Sequence, residues 1–234
     1  IARNSHKIQG EAVDSLLNTI RASVLLTYVD ATEGWVFTQE SNVADLQNKT
    51  YTSATGGTET TSGNYKIHTF NSSSNFVVAS TGNSAGSGDK VSYLVVAGGG
   101  GGGNTNAAGG GGGGFREGKD SPKDSYTASP LAASDSGLTI TAQTYPITVG
   151  AGGAGKAGGN CRGAGERGSN SVFSTITSTG GGGGVGGCDS GSPKSPGGSG
   201  GGGRGDSSAP IRENFGSGNT PPVSPSQGNR GGGA

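Results

Sequence analysis

The stretch "VSYLVVAGGGGGGNTNAAGGGGGGF", residues 91–115, decides how the chain is read. Its first seven residues are rich in β-branched and aromatic side chains and read as a strand. Two six-glycine tracts follow, separated by five small residues. Glycine loses more conformational freedom on ordering than any other residue, at about 0.5–1 kcal/mol relative to Ala. A net hydrogen bond returns about 0.5–1.5 kcal/mol. A lone tract therefore stays loose, whereas several tracts side by side can break even by bonding to one another. Such tracts recur at residues 98–103, 109–114, 150–168, 180–187, 197–203 and 228–233, and they leave from the ends of strand-like runs. They lack the strict G-X-Y period of collagen. The expectation is a bundle of polyglycine II helices. These are extended, with three residues per turn, no internal hydrogen bonds and every N–H and C=O pointing outward. A six-residue tract would span about 19 Å at ~3.1 Å per residue. A bulky side chain at Gly111 should block the approach of neighbouring tracts, while Gly118, in a polar segment, should tolerate one.

Composition agrees with a small core. Of 234 residues 52 are Gly and only 28% are hydrophobic, well below an ordinary domain. Net charge is zero, so nucleic-acid binding has little electrostatic support. No apolar run approaches the ~20 residues of a membrane helix. The chain contains no Met, which points to a start after a removed segment or to part of something longer.

The runs "YKIHTF" (65–70), "NFVVAS" (75–80), "VSYLVVA" (91–97), "LTITA" (138–142), "YPITVGA" (145–151) and "SVFSTITST" (171–179) read as six short strands separated by turn-rich spacers. They predict a small β-sandwich. Upstream, "ASVLLTYVD" (22–30), the turn "ATEG" and "WVFTQ" (35–39) read as a hairpin. Val13, Leu16, Leu17 and Ile20 have helical spacing, which makes a short helix one alternative there. Residues 44–64 read as linker or exposed loop. The fold class is thus all-β. It comprises an N-terminal β-module at 1–43 for attachment or oligomerisation, a linker at 44–64, and a sandwich with a polyglycine bundle at 65–234 that could continue past the C-terminus.

Several motifs look chemical. "GAGGAGK" (150–156) has the spacing of a phosphate-cradling loop, but Ala157 stands where Ser or Thr would hold magnesium, and no helix can follow. "GCDSGSP" around Ser190 resembles a serine-protease nucleophile loop, yet His6 and His68 are the only possible bases, and His68 reads as a strand residue. Cys161 and Cys188 lack metal or redox spacing and read either as ordinary small residues or as one disulfide. Arg204–Asp206 spells RGD, and Asn48 and Asn71 fit glycosylation sequons. No acid–base pair or metal-ligand cluster stands out. The reading is a non-enzyme with no cofactor and no metal.

The blocks "YKIHTFNSSSNFVV", "VSYLVVAGGGGGG", "YPITVGAGGAG" and "SNSVFSTITSTGGGGG", in that order and spacing, resemble the glycine-rich domain of bacteriophage tail fibres and adhesins, from about Tyr65 onward. "RNSHKIQG…YVDATEGWVFTQ" (3–39) resembles a short β-module of tailed-phage virion proteins, mainly through "YVDATEGW". The resemblance implies a virion-surface protein with structural and host-recognition roles. Its implied partners are its own copies in a homotrimer, other virion proteins, and a bacterial surface protein or glycan. Neither nucleic acid nor membrane insertion is expected. A purely structural appendage (fibre shaft, neck or capsid fibre) is the alternative, and an extracellular glycine-rich matrix protein a weaker one. The polar insert 115–137 departs from the flanking tracts. Its Phe115, Arg116, Lys119, Lys123 and Tyr126 are the receptor-contact candidates, because aromatic and Arg residues dominate binding hot spots.

Overall fold

The fold is that of a computed structural model, which describes residues 1–15, 23–41, 49–83, 86–104, 107–121, 123–132, 137–158, 163–186, 195–203 and 215–233. Those residues are all-β, with thirteen short strands and no helix among them. Backbone contacts divide the chain into two compact units. One is Ile1–Ser53 with Ala79–Asp89, and the other is Ala54–Val78 with Lys90–Ala234.

In the first unit β1 (Ser23–Tyr28) and β2 (Trp35–Ser41) form an antiparallel hairpin, with Tyr28 opposite Trp35 and a bulge after Leu25. The turn is fixed by Asp30. Its Oδ1 accepts the N–H groups of Thr32 (2.7 Å) and Glu33 (2.8 Å), which is the local bonding that favours Asp in turns. These donors hold the Asp30 carboxyl below the usual carboxylate range. Gly34 follows at φ +71, where a Cβ would lie 2.0 Å from the Lys7 carbonyl. That close approach lets Trp35 N–H donate to Lys7 O and Gln9 N–H to Trp35 O. Ile8, 1% exposed, is buried in the bend this creates. Val13 lies in a bend, and Leu16, Leu17 and Ile20 of the helical alternative lie outside the described residues.

The second unit holds the core. A five-stranded sheet has the order β13-β12-β11-β6-β3. Its strands are β3 (Ser53–Thr55), β6 (Ser74–Ser80), β11 (Thr144–Thr148), β12 (Ser171–Phe173) and β13 (Ile176–Ser178). Two-stranded pairings join β4 (Thr58–Ser62) to β5 (Tyr65–Thr69), β7 (Lys90–Val91) to β10 (Leu138–Thr139), and β8 (Tyr93–Val96) to β9 (Phe115–Gly118). Alternation in β6 and β8 turns Phe76, Val78, Tyr93 and Val95 inward. They meet Ala54, Ile140, Tyr145 and Phe173 in one cluster. Phe173 stands edge-on to Phe76 (6.1 Å), Tyr145 (6.0 Å) and Tyr93 (6.5 Å), the offset arrangement aromatic quadrupoles prefer. A handful of aromatic rings thus fills a core that the composition could not fill with aliphatics.

The six strand runs each contain strand in the structure, with differences. "SVFSTITST" is the hairpin β12–β13 rather than one strand, because Ser174 takes φ +53 and reverses the chain. The Thr-rich segment read as linker or loop carries β3 and β4. All five residues of β4 are exposed, so it lacks the half-buried alternation by which a strand is recognised. The polar insert begins with strand β9.

Candidate functional site

The glycine tracts bond to each other through their backbones, and the partner changes with a period of three residues. On 98–104, the N–H groups of Gly98, Gly101 and Asn104 donate to the carbonyls of Ser169, Glu166 and Gly163. Those of Gly100 and Gly103 donate to Gly111 and Ala108. The carbonyls of Gly98 and Gly101 accept from Gly181 and Gly184, and those of Gly99 and Gly102 from Gly153 and Lys156. One tract therefore serves four neighbours. Two of these run antiparallel to it (108–111 and 163–169) and two parallel (153–156 and 181–184).

The tract 179–186 sits deepest, with every residue from Ser178 to Gly186 buried. It accepts from Ala108, Gly111 and Gly114 at Val185, Gly182 and Thr179, and it donates to Ser199 and Gly202 from Gly182 and Val185. Its interior position is supported by backbone pairing rather than side-chain packing, as buried N–H and C=O groups require. Val185, 0% exposed, is the one large side chain within it.

On the outer tracts side-chain tolerance follows the same period, whereas in the buried tract a Cβ would clash at every glycine from 180 to 184. A Cβ on Gly98, Gly101, Gly110 or Gly184 would lie 2.0–2.1 Å from a neighbouring carbonyl oxygen. A Cβ on Gly109 or Gly112 would meet nothing within 4 Å. In 150–157 the inward positions Gly150 and Gly153 are glycine, and Ala151, Ala154 and Ala157 occupy exposed ones. Gly111 behaves as expected, its Cβ lying 2.4 Å from Ser199 O. Gly118 does not. A Cβ there would fall 2.4 Å from the Tyr93 ring, because β9 pairs with β8 and sets Gly118 opposite Tyr93.

The last tract is tied to the others by Gln227, 2% exposed. Its Oε1 accepts Thr179 N–H (2.8 Å), its Nε2 donates to Pro221 O (3.1 Å), and its carbonyl accepts Phe115 N–H (2.8 Å).

The five receptor-contact candidates fall into two groups. Phe115 and Arg116 belong to β9, half-buried opposite Val96 and Val95. The Arg116 Nε is buried without a hydrogen-bond partner among the described residues. Beyond β9 the chain turns, with Ser121 N–H donating to Lys119 O and Asp124 N–H to Asp120 O. Lys119 places its ammonium 5.3 Å from the centre of the Tyr126 ring, within cation–π reach. Lys123 is exposed. Tyr126 stands edge-on to Tyr65 at 6.5 Å, and burial pushes its hydroxyl up. The Tyr65 hydroxyl accepts Ser125 N–H (2.8 Å) and bonds Ser125 Oγ (2.9 Å). Sequence reasoning missed Tyr65, which lies 60 residues from its partner Ser125 and reads as an ordinary strand residue.

The other motifs have structural places. In 150–156 the Gly153 and Lys156 N–H groups donate to Gly99 and Gly102. His68 lies in β5, with Nδ1 2.9 Å from Gly56 O and its ring edge-on to Phe76. His6 stands edge-on to Tyr28. Asn71 is exposed. Cys161, Cys188, Ser190, the RGD at 204–206 and Asn48 lie outside the described residues. Among the described residues no group of three His, Cys, Asp or Glu is placed to hold a metal ion, and no helix is long and apolar enough to cross a membrane.

No curated protein and no solved structure matches the chain. A family model, the glycine-rich domain, matches residues 78–234, about two thirds of the length. That span takes in every one of the hydrogen-bonded glycine tracts, and on it the chain belongs to the glycine-rich domain family.

Proposed function

We propose that the tracts are polyglycine II helices packed into a bundle, launched from a small β-sandwich, and that the protein is a bacteriophage tail fibre or adhesin. In this reading it is a non-enzymatic virion-surface protein that recognises a host cell, with residues 1–43 attaching it to other virion proteins or to further copies in a homotrimer. The observation that carries the reading is the three-residue period of the inter-tract hydrogen bonds. Three residues per turn is the period of this helix and of neither α-helix nor strand. Such a bundle is a rigid scaffold whose interior is almost entirely backbone, so recognition falls to the loops at its ends, as is usual for loops on rigid scaffolds. The resemblance of the four sequence blocks to phage fibres and adhesins supplies the biological setting.

The experiment is to locate the protein on particles by antibody labelling in electron micrographs, and to measure adsorption with and without it. Labelling at the distal end of a tail fibre, together with adsorption lost on its removal, is the expected result. Labelling on a shaft, neck or capsid with adsorption unchanged would establish the purely structural appendage instead. A monomer mass at micromolar concentration would remove the trimer.

A further inference from the structure

The span 117–127 sorts its charges. Three carboxylates and two ammonium groups lie close in sequence, yet they do not share the surface equally. Glu117 and Asp120 are buried, at 8% and 6% exposed, and Glu117 Oε2 accepts Ser129 N–H at 2.9 Å. Asp124 Oδ2 accepts the Ser92 hydroxyl, and Ser92 Oγ in turn accepts Asp120 N–H at 2.8 Å. Two of the three carboxylates, those of Glu117 and Asp124, are thus occupied in holding the turn, and the Asp120 side chain is buried. Lys119 is half-exposed and Lys123 exposed. Asp124 is half-exposed as well, so the outward groups are two ammonium groups against one carboxylate already bonded to Ser92, a cationic balance although the span as a whole is near neutral.

Two half-exposed aromatic rings, Tyr126 and Tyr65, stand next to Lys119 and to each other, and Ser121 and Thr127 are exposed in the same span. The Tyr65–Ser125 hydrogen bonds fix the rings against each other across two distant parts of the chain. Ring faces stack on the C–H faces of sugars, hydroxyls bond sugar hydroxyls, and ammonium groups make charge-assisted bonds to carboxylate or phosphate. We propose that Tyr65, Lys119, Lys123 and Tyr126 form a binding site for an acidic saccharide. The proposal rests on the host-recognition reading and names the ligand class for it. It also divides the earlier candidates, since Phe115 and Arg116 serve strand β9 and lie outside the site.

The test titrates the full chain with an oligogalacturonate and with a neutral malto-oligosaccharide of the same length, by calorimetry at low and high salt. The acidic chain should bind, and bind more weakly as salt rises, as screened ion pairs do. The neutral chain should bind at least roughly tenfold more weakly. Lys119→Gln and Tyr126→Leu should each weaken the acidic chain by roughly tenfold, with Lys66→Gln, an exposed lysine on β5, unchanged. Circular dichroism and tract amide protection unchanged in each variant would exclude misfolding. Equal binding of the two saccharides, no binding of either, or no effect of both site variants overturns the proposal. A second arm measures retention on host cell envelopes. Envelope binding that persists in Lys119→Gln/Lys123→Gln overturns this site alone. Oligogalacturonate binding without envelope binding would instead overturn the host-recognition reading and leave the site standing.

Discussion

At the scale of single residues, glycine here is not one kind of position. Gly184 and Gly112 both stand in runs of consecutive glycines, yet a Cβ on Gly184 would lie 2.0 Å from Ala108 O and one on Gly112 would touch nothing. Gly184→Ala should destabilise by about 3 kcal/mol, the upper end for overpacking a site that cannot shift. Gly112→Ala should change stability by less than about 0.5 kcal/mol, as surface substitutions do. Thermal or denaturant melts of the two variants check this, and equal effects would contradict the packed arrangement. Asp30 gives a prediction of another kind. Its carboxyl is held low by the Glu33 and Thr32 N–H groups, so the folded value lies below the unfolded one. The turn's stabilisation is therefore present above the ordinary carboxylate value of about 3.9 and is lost as pH falls through the lower folded value. Amide shifts of Thr32 and Glu33 should titrate in that acid range, and should not in Asp30→Asn, whose amide oxygen accepts the same bonds without ionising.

At the scale of elements, Gln227 is where the C-terminal tract is fastened. Gln227→Ala would leave the buried Thr179 N–H unpaired and should cost about 1–3 kcal/mol. Amide exchange should quicken around Thr179 and Phe115, and unchanged exchange there would show that the tract holds without it. The elements legible in the sequence were those with a β-branched or aromatic period, such as β1, β6 and β11. Strand β9, "FREG", was not legible, since one Phe followed by Arg, Glu and Gly has no period, and only pairing with β8 makes it a strand. The same pairing explains why Gly118 was misjudged, because its neighbour Tyr93 lies 25 positions away in sequence. Residues 58–62 hid for the opposite reason. Their Thr-rich run has strand propensity, but both faces of β4 are exposed. Of the candidate site, Lys119, Lys123 and Tyr126 could be picked out by residue type within one short span. Tyr65 could not, because no local signal connects it to Ser125.

At the scale of the molecule, the glycine-rich unit replaces much of a side-chain core by a lattice of backbone hydrogen bonds beside a small aromatic cluster. That exchange is favourable only when many tracts close together, because each glycine is costly to order and each bond returns little. Ordering in the tracts should therefore be collective, and it separates a packed bundle from a set of flexible linkers. Residue-resolved amide hydrogen exchange on the intact protein measures it most directly. The account predicts strong protection at Gly100, Gly101, Gly181, Gly182 and Gly184, whose N–H groups donate to Gly111, Glu166, Gly98, Ser199 and Gly101. Exchange of these amides at random-coil rates would contradict it.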